Sequence, residues 1–199
     1  AEKANGQAIH YSVKEVDVPE GYTVTEESKE KGDVVLTNTH APSTVDIPVT
    51  KIWLDNDNQD GLRPAKITVK LLANGGEVAR KDITSETDWK ETFAGLPKFK
   101  DGKEIVYTLQ EEKVENYSPS IDQESYTITN THTPGKTTLS VTKQWDDQED
   151  KDGLRPKSVK VQLYADGKKS GEVIELSAEN KWTHTFADLA KNIKGKAIT

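Results

Sequence analysis

The chain has 199 residues, no cysteine and no methionine, 33% hydrophobic and 31% charged residues, and a formal net charge of −7. That length holds one large domain or two of usual size, and without cysteine there can be no disulfide framework, thiolate metal site or cysteine nucleophile. The excess of 34 acidic over 27 basic residues argues against nucleic acid as a partner, and no apolar run approaches the ~18–20 residues of a membrane span.

No charged-then-apolar leader opens the chain, so an export signal is expected to have been removed or to lie elsewhere. Tyr11, Val13 and Glu15 alternate with polar neighbours, as do Val34, Leu36 and Asn38, and this period of two predicts strands. Ala41-Pro42-Ser43 reads as a short, semi-stiff linker. Val45, Ile47, Val49, Lys51 and Trp53 form the next alternating run, followed by Ile67, Val69 and Leu71. Asn74-Gly75 then reads as a tight hairpin turn, because both residues tolerate positive φ. Ile105, Tyr107 and Leu109 alternate, then Tyr126 and Ile128, and Thr133-Pro134-Gly135 is a second linker. Leu139 and Val141 begin the sequence of signals again, and Asp166-Gly167 repeats the hairpin turn.

The chain is therefore a repeat. Val49-Thr50-Lys51-Ile52-Trp53 returns as Val141-Thr142-Lys143-Gln144-Trp145, an offset of 143 − 51 = 92. The Asp-Gly-Leu-Arg-Pro at 60–64 returns at 152–156, and Asn38 returns as Asn130, with the same offset. Trp89 and Phe93 return as Trp182 and Phe186, 93 residues on. Residues 1–41 thus read as the second half of one module, 44–132 as a complete module, and 136–199 as the first two-thirds of another. Several short strands in each module and no amphipathic helix predict an all-β protein built of β-sandwiches.

Strand parity places three polar residues on the inward face of the complete module. Lys51 shares the parity of Ile47, Val49 and Trp53; Glu111 that of Tyr107 and Leu109; Asn130 that of Tyr126 and Ile128. The flanking segments repeat the pattern with Glu15, Asn38 and Lys143. One reading puts each residue at a sandwich rim, with Lys51 extending its ammonium into water. The other is chemical. Burial favours the neutral amine and the protonated acid, a neutral amine against an amide carbon is a nucleophile, and a carboxyl beside both can polarise the oxygen and move protons. The product would be a Lys–Asn isopeptide bond, with loss of ammonia.

The Val-Thr-Lys-x-Trp start, the Tyr-x-Leu-x-Glu strand and the closing Ile-Thr-Asn-Thr resemble Cna protein B-type domains, the stalk modules of Gram-positive surface adhesins. The resemblance runs over essentially the whole chain. It implies tandem prealbumin-like (inverse immunoglobulin) β-sandwich modules, each with an intramolecular isopeptide bond. By motif position Lys51 would be the amine, Asn130 the acceptor and Glu111 the proton-handling carboxyl. Glu15 and Asn38 would play the latter two parts in the first segment and Lys143 the amine in the third. The implied function is an extracellular, cell-wall-anchored spacer that cross-links itself once and is not an enzyme with turnover. A module binding a host matrix protein or glycan, or a pilin shaft subunit, is the alternative. Neighbouring modules of the same chain are the expected partners. Residues 1–41 and 136–199 could also complement each other head to tail between molecules.

No cofactor or metal is called for. The acidic loop 55–60 offers oxygens of the kind calcium binds, but it reads better as a solvated turn before Arg63-Pro64. His10, His40, His132 and His184 lie singly in the sequence, and the four tryptophans recur with the modules, as core residues would.

Overall fold

In the computed structural model the described residues are 3–4, 6–8, 11–28 and 32–199. Among them are strands, one 3-10 turn at Ser85–Thr87 and no α-helix. Contacts divide the chain into two compact units, residues 1–46 with 94–105 and residues 47–93 with 106–199.

In the first unit Thr23–Ser28 pairs antiparallel with Val34–Thr39, and Lys3–Ala4 pairs with Gln7–Ala8. The short hairpin of Phe99–Lys100 and Lys103–Glu104 belongs to the same unit.

The alternating runs of residues 44–132 form two sheets. One has three strands in the order Tyr107–Glu111, Lys66–Ala73 and Gly76–Thr84. The other has four, in the order Ser118–Asp122, Thr127–Thr131, Thr44–Leu54 and Lys90–Pro97. Asn74 and Gly75 close the hairpin at φ 49° and 85°, as a two-residue turn matched to strand twist requires. Thr44–Leu54 and Thr127–Thr131, the first and last strands within residues 44–132, run parallel and side by side. A parallel pair cannot be joined by a short hairpin, and here the rest of the module makes the connection.

The apolar parity of each strand faces inward. Ile47, Val49, Phe93 and Ile128 from one sheet and Ile67, Val69, Leu71, Ile83, Tyr107 and Leu109 from the other are buried. Lys51 and Asn130 are buried among them, at 4% and 0% exposure, as parity predicts.

Residues 136–199 repeat the early pairings. Lys136–Thr142 pairs with Thr183–Ala190, Ser158–Ala165 with Lys168–Ser177, and Asn192–Ile193 with Lys196–Ala197. Leu139, in the parity of the inward residues, is 51% exposed there, whereas Ile47, its match in the complete module (139 − 92 = 47), is 2% exposed.

Candidate functional site

Three strands deliver the polar cluster. Lys51 comes from the first strand, Glu111 from the end of Tyr107–Glu111 in the opposite sheet, and Asn130 from the last strand. Lys51 pairs in register with Ile128, and Asn130 with Trp53, so the lysine and the asparagine are neighbours on one face. The Lys51 Nζ lies 2.9 Å from Glu111 Oε1, with their side chains 0% and 2% exposed. Asn130 Nδ2 donates to the same Oε1 at 3.1 Å. One carboxyl oxygen thus touches both the amine and the amide.

Aromatic rings keep water off this cluster. Lys51 Nζ stands 4.6 Å from the centre of the Trp53 ring. Trp53 packs edge-on against Trp89 at 5.1 Å and against Tyr117 at 4.9 Å. Trp89 adopts φ 57°, after Asp88 at 51°, a conformation uncommon for a bulky residue. Its carbonyl accepts the Lys51 backbone N–H at 2.8 Å. Trp182, at φ 60°, does the same for Lys143 at 2.9 Å, so the feature belongs to the module.

Burial pushes the Lys51 ammonium down to about 8, against the pull of the neighbouring Glu111 carboxyl. At pH 7 that raises the neutral fraction of the amine roughly 300-fold over a free lysine. The ion pair is also badly aimed: Nζ is close to Oε1 but makes no hydrogen bond of acceptable geometry. Among the described residues, buried polar atoms without a hydrogen-bond partner are Lys51 Nζ, Asn130 Oδ1, Trp53 Nε1 and Trp145 Nε1. Three of them sit at this cluster, and the fourth stands next to Lys143. Such orphans are costly in a core and rare, so the module carries unspent polar capacity where an amine meets an amide.

The flanking copies are partial. Asn38 Nδ2 donates to Glu15 Oε1 at 2.9 Å, the Glu111–Asn130 contact over again, although Asn38 is exposed. Lys143 is half-buried, 4.3 Å from the centre of the Trp145 ring, and Trp145 meets Trp182 edge-on at 5.2 Å.

The acidic loop differs from the solvated turn that sequence suggests. Asp55 is 2% exposed, and both its oxygens are taken. Oδ1 accepts from Arg63 Nη2 at 2.6 Å and from the Asn58 backbone at 2.9 Å; Oδ2 accepts from Arg63 Nε at 3.1 Å and the Tyr117 hydroxyl at 2.8 Å. Burial opposes the charge, yet these donors, Arg63 first, hold the Asp55 carboxyl down to about 2. Asn56, Asp57 and Asn58 make a left-handed turn at φ 51°, 55° and 58°, which costs energy for side-chain-bearing residues and which the Asp55–Arg63 clamp holds in place. Asp147, Arg155 and residues 148–150 repeat it. The signal was in the sequence as the recurring Trp-x-Asp with an Arg eight residues on.

Nor is every histidine solitary: His132 Nε2 lies 3.0 Å from Asp60 Oδ2. His10 lies outside the described residues.

The sequence profile of the Cna protein B-type domain matches residues 1–39, 47–131 and 139–199. The chain belongs to the Cna protein B-type domain family. It is 46% identical over 197 residues to the collagen adhesin of Staphylococcus aureus, which covers 99% of this chain but only 16% of that protein. It also resembles the crystal structure of two B repeat units, B1B2, of the collagen binding protein of Staphylococcus aureus. There the TM-score is 0.61 at 45% identity, over 100% of this chain and 52% of that one. A single B repeat unit, B1, of the same collagen binding surface protein matches at 47% identity over 78% of this chain and 82% of that one, with a TM-score of 0.44. The chain is thus all-β and built of tandem B-type modules with the prealbumin-like sandwich of its family.

Proposed function

We propose that this chain is an extracellular spacer segment of a cell-wall-anchored Gram-positive adhesin, and that its complete B-type module, residues 44–132, closes itself with a Lys51–Asn130 isopeptide bond. Residues 1–41 and 136–199 are then the second half and the first two-thirds of neighbouring modules. The observation that carries this reading is the single oxygen, Glu111 Oε1, within 2.9 Å of Lys51 Nζ and 3.1 Å of Asn130 Nδ2.

That oxygen stands where a proton must leave and where one must arrive. The neutral Lys51 amine attacks Asn130 Cγ, and the Nζ–Cγ bond forms. One amine proton passes through Glu111 to Asn130 Nδ2, the Cγ–Nδ2 bond breaks, and ammonia leaves. Turning the Asn130 amide over would bring its orphaned Oδ1 to the carboxyl, where a protonated acid donates to it and polarises the carbonyl. The fold supplies the proximity that makes amide aminolysis feasible. Each module reacts once. The result is a spacer whose strands are tied by a bond that reductants do not touch.

Glu15 with Asn38, and Lys143, are complementary parts of the same chemistry. Copies of the chain could therefore pair through residues 1–41 and 136–199, which a denaturing gel would reveal as a ladder of multimers; monomer alone at high concentration would argue against it. For the complete module the test is the intact mass of the denatured chain. A mass one ammonia below the sequence value, restored by Lys51→Ala, is expected. The full sequence mass would end the covalent reading and leave only a buried polar cluster.

A further inference from the structure

Asp60 leaves the loop after Asp55 and faces the module that follows. Its Oδ2 accepts the backbone N–H of Gly135 in the linker at 2.9 Å and lies 3.0 Å from His132 Nε2. Its Oδ1 accepts from Asn192 Nδ2 at 3.1 Å, and Asn192 belongs to the hairpin Asn192–Ile193 and Lys196–Ala197 of the next module. The Gly195 N–H in that hairpin's turn donates to the Gln59 carbonyl at 3.0 Å. Gly61 and Gly195 touch backbone to backbone: a Cβ on Gly61 would stand 2.5 Å from the Gly195 Cα. Four groups from one module, the linker and the next module converge on one carboxylate and its loop.

The protonation state of His132 follows from its partners. Nδ1 lies 3.0 Å from the Asn116 carbonyl oxygen and Nε2 3.0 Å from the Asp60 carboxylate. Both partners only accept hydrogen bonds, so both ring nitrogens must donate, and only the imidazolium can do that. Loss of either proton turns a lone pair toward an oxygen.

We propose that Asp60 and His132 form a protonation-dependent lock between the complete module and the one that follows it. While His132 is charged the hairpin of the next module stays seated on the Gln59–Gly61 backbone and the two modules move as one body; when His132 loses its proton the seat loosens. The lock goes beyond the spacer reading and does not depend on the cross-link, since neither residue belongs to the buried cluster. The corresponding hairpin of the complete module has Phe99 where Asn192 stands (192 − 93 = 99), so the lock is not a property of every linker.

The surrounding charges leave Asp60 in control. Asp55 is neutralised by Arg63, Lys136 and Asp188 in the same cleft pair with each other at 3.0 Å, and the Lys191 stem lies against Gly135. Tyr117 presents its ring to His132 at 5.5 Å and its hydroxyl to Asp55. The Asp60 bond accordingly raises His132 above its ordinary value, and His132 foremost holds Asp60 below its own. A raised histidine contributes fully below its unfolded value of ~6.5 and loses its contribution as pH climbs through the folded value. A depressed aspartate loses its contribution only as pH falls below the ordinary carboxylate range. The lock is therefore closed below ~6.5 and opens as pH rises through the raised folded value of His132.

The test is nuclear magnetic relaxation on the full chain, giving a rotational correlation time for each module, with the His132 ring titrated in the same samples. Between about pH 6 and about pH 9 a shared correlation time should split into two, with a ring midpoint clearly above ~6.5. Asp60→Asn should return the midpoint toward ~6.5 and free the modules already at the lower pH. Gly61→Ala should also free them, by driving a Cβ into Gly195. Gly153→Ala should not, although Gly153 holds the same loop position at φ +65° against +69° for Gly61, because nothing lies within 4 Å of its Cβ site. A ring midpoint at or below ~6.5, or tumbling that is unchanged by both pH and Asp60→Asn, would overturn the lock whatever the intact mass shows about the cross-link.

Discussion

Lys51 and Asn130 occupy adjacent parallel strands two register positions apart, Lys51 opposite Ile128 and Asn130 opposite Trp53. The chain enters the module at the start of one strand and leaves at the end of the other. Tension along the chain therefore shears this pair rather than unzipping it. A bond between the two side chains would carry that tension directly across and leave residues 52–129 out of the load path. Pulled singly in a force microscope, the wild-type chain should show no extension step for the complete module. Lys51→Ala should show one of roughly 270 Å, the length of those residues when stretched at ~3.4 Å each.

Replacing Glu111 with Gln keeps the shape and removes the carboxyl proposed to pass protons. The module should still fold, since Lys51 also packs on Trp53, but the intact mass should stay at the full sequence value. The proposed cross-link would close 130 − 51 = 79 residues, worth roughly 4–5 kcal/mol by loop entropy. For a domain of this size that corresponds to a melting temperature lower by roughly 20–35 °C. Equal melting of wild type and Glu111→Gln, at different masses, would show that the bond adds no stability.

How much of this was legible follows from the physics of each feature. Parity alone found Lys51, Glu111 and Asn130, because a strand puts every second side chain on one face and the apolar neighbours say which face is inward. Asp55 was misread because five polar residues follow it, and composition says nothing about which one turns in. Its partners Arg63 and Tyr117 are brought to it by the chain reversal and by the loop before Ser118–Asp122, the latter 62 residues away. His132 looked solitary for the same reason: Asp60 is 72 residues distant and reaches it only once the sandwich has closed. The left-handed φ of Trp89 left no mark in residue types, because neither Asp88 nor Trp89 is glycine.

Where the bond cannot form, Lys51 remains a buried amine and should register in the pH dependence of stability. In an Asn130→Ala chain the folded lysine, pushed down to about 8, releases its proton before the unfolded one does at ~10.4. Between those values the unfolded state holds more protons, so stability should rise with pH, by at most ~3 kcal/mol. Adding Lys51→Met should abolish that rise. Denaturant unfolding of the two variants at several pH values makes the comparison, and other lysines and tyrosines cancel in the difference.

The Asp55 clamp gives a prediction in which two modules serve as each other's control. Asp55 and Arg63 are paired with side chains 1% and 22% exposed, while Asp147 and Arg155 are paired at 30% and 28%. Removing one partner of a buried pair leaves the other charge unpaired, at a typical cost of ~3–5 kcal/mol, whereas a pair open to water is worth roughly 1 kcal/mol or less. Asp55→Ala should therefore destabilise its module several times more than Asp147→Ala destabilises residues 136–199. The acid limb carries the same sign: a carboxyl held down to about 2 stabilises above the unfolded value of ~3.9 and loses that contribution as pH falls toward 2. Wild type should thus lose about 2 kcal/mol over that interval that the Asp55→Ala chain has already lost, and the gap between their stabilities should narrow toward the acid end. Hydrogen exchange at Asn58 and Arg63 would localise the effect, because the Asn58 N–H is bonded to Asp55 and the Arg63 N–H to the Asn58 side chain. If Asp147→Ala proved as costly as Asp55→Ala, burial would not be what gives the clamp its strength.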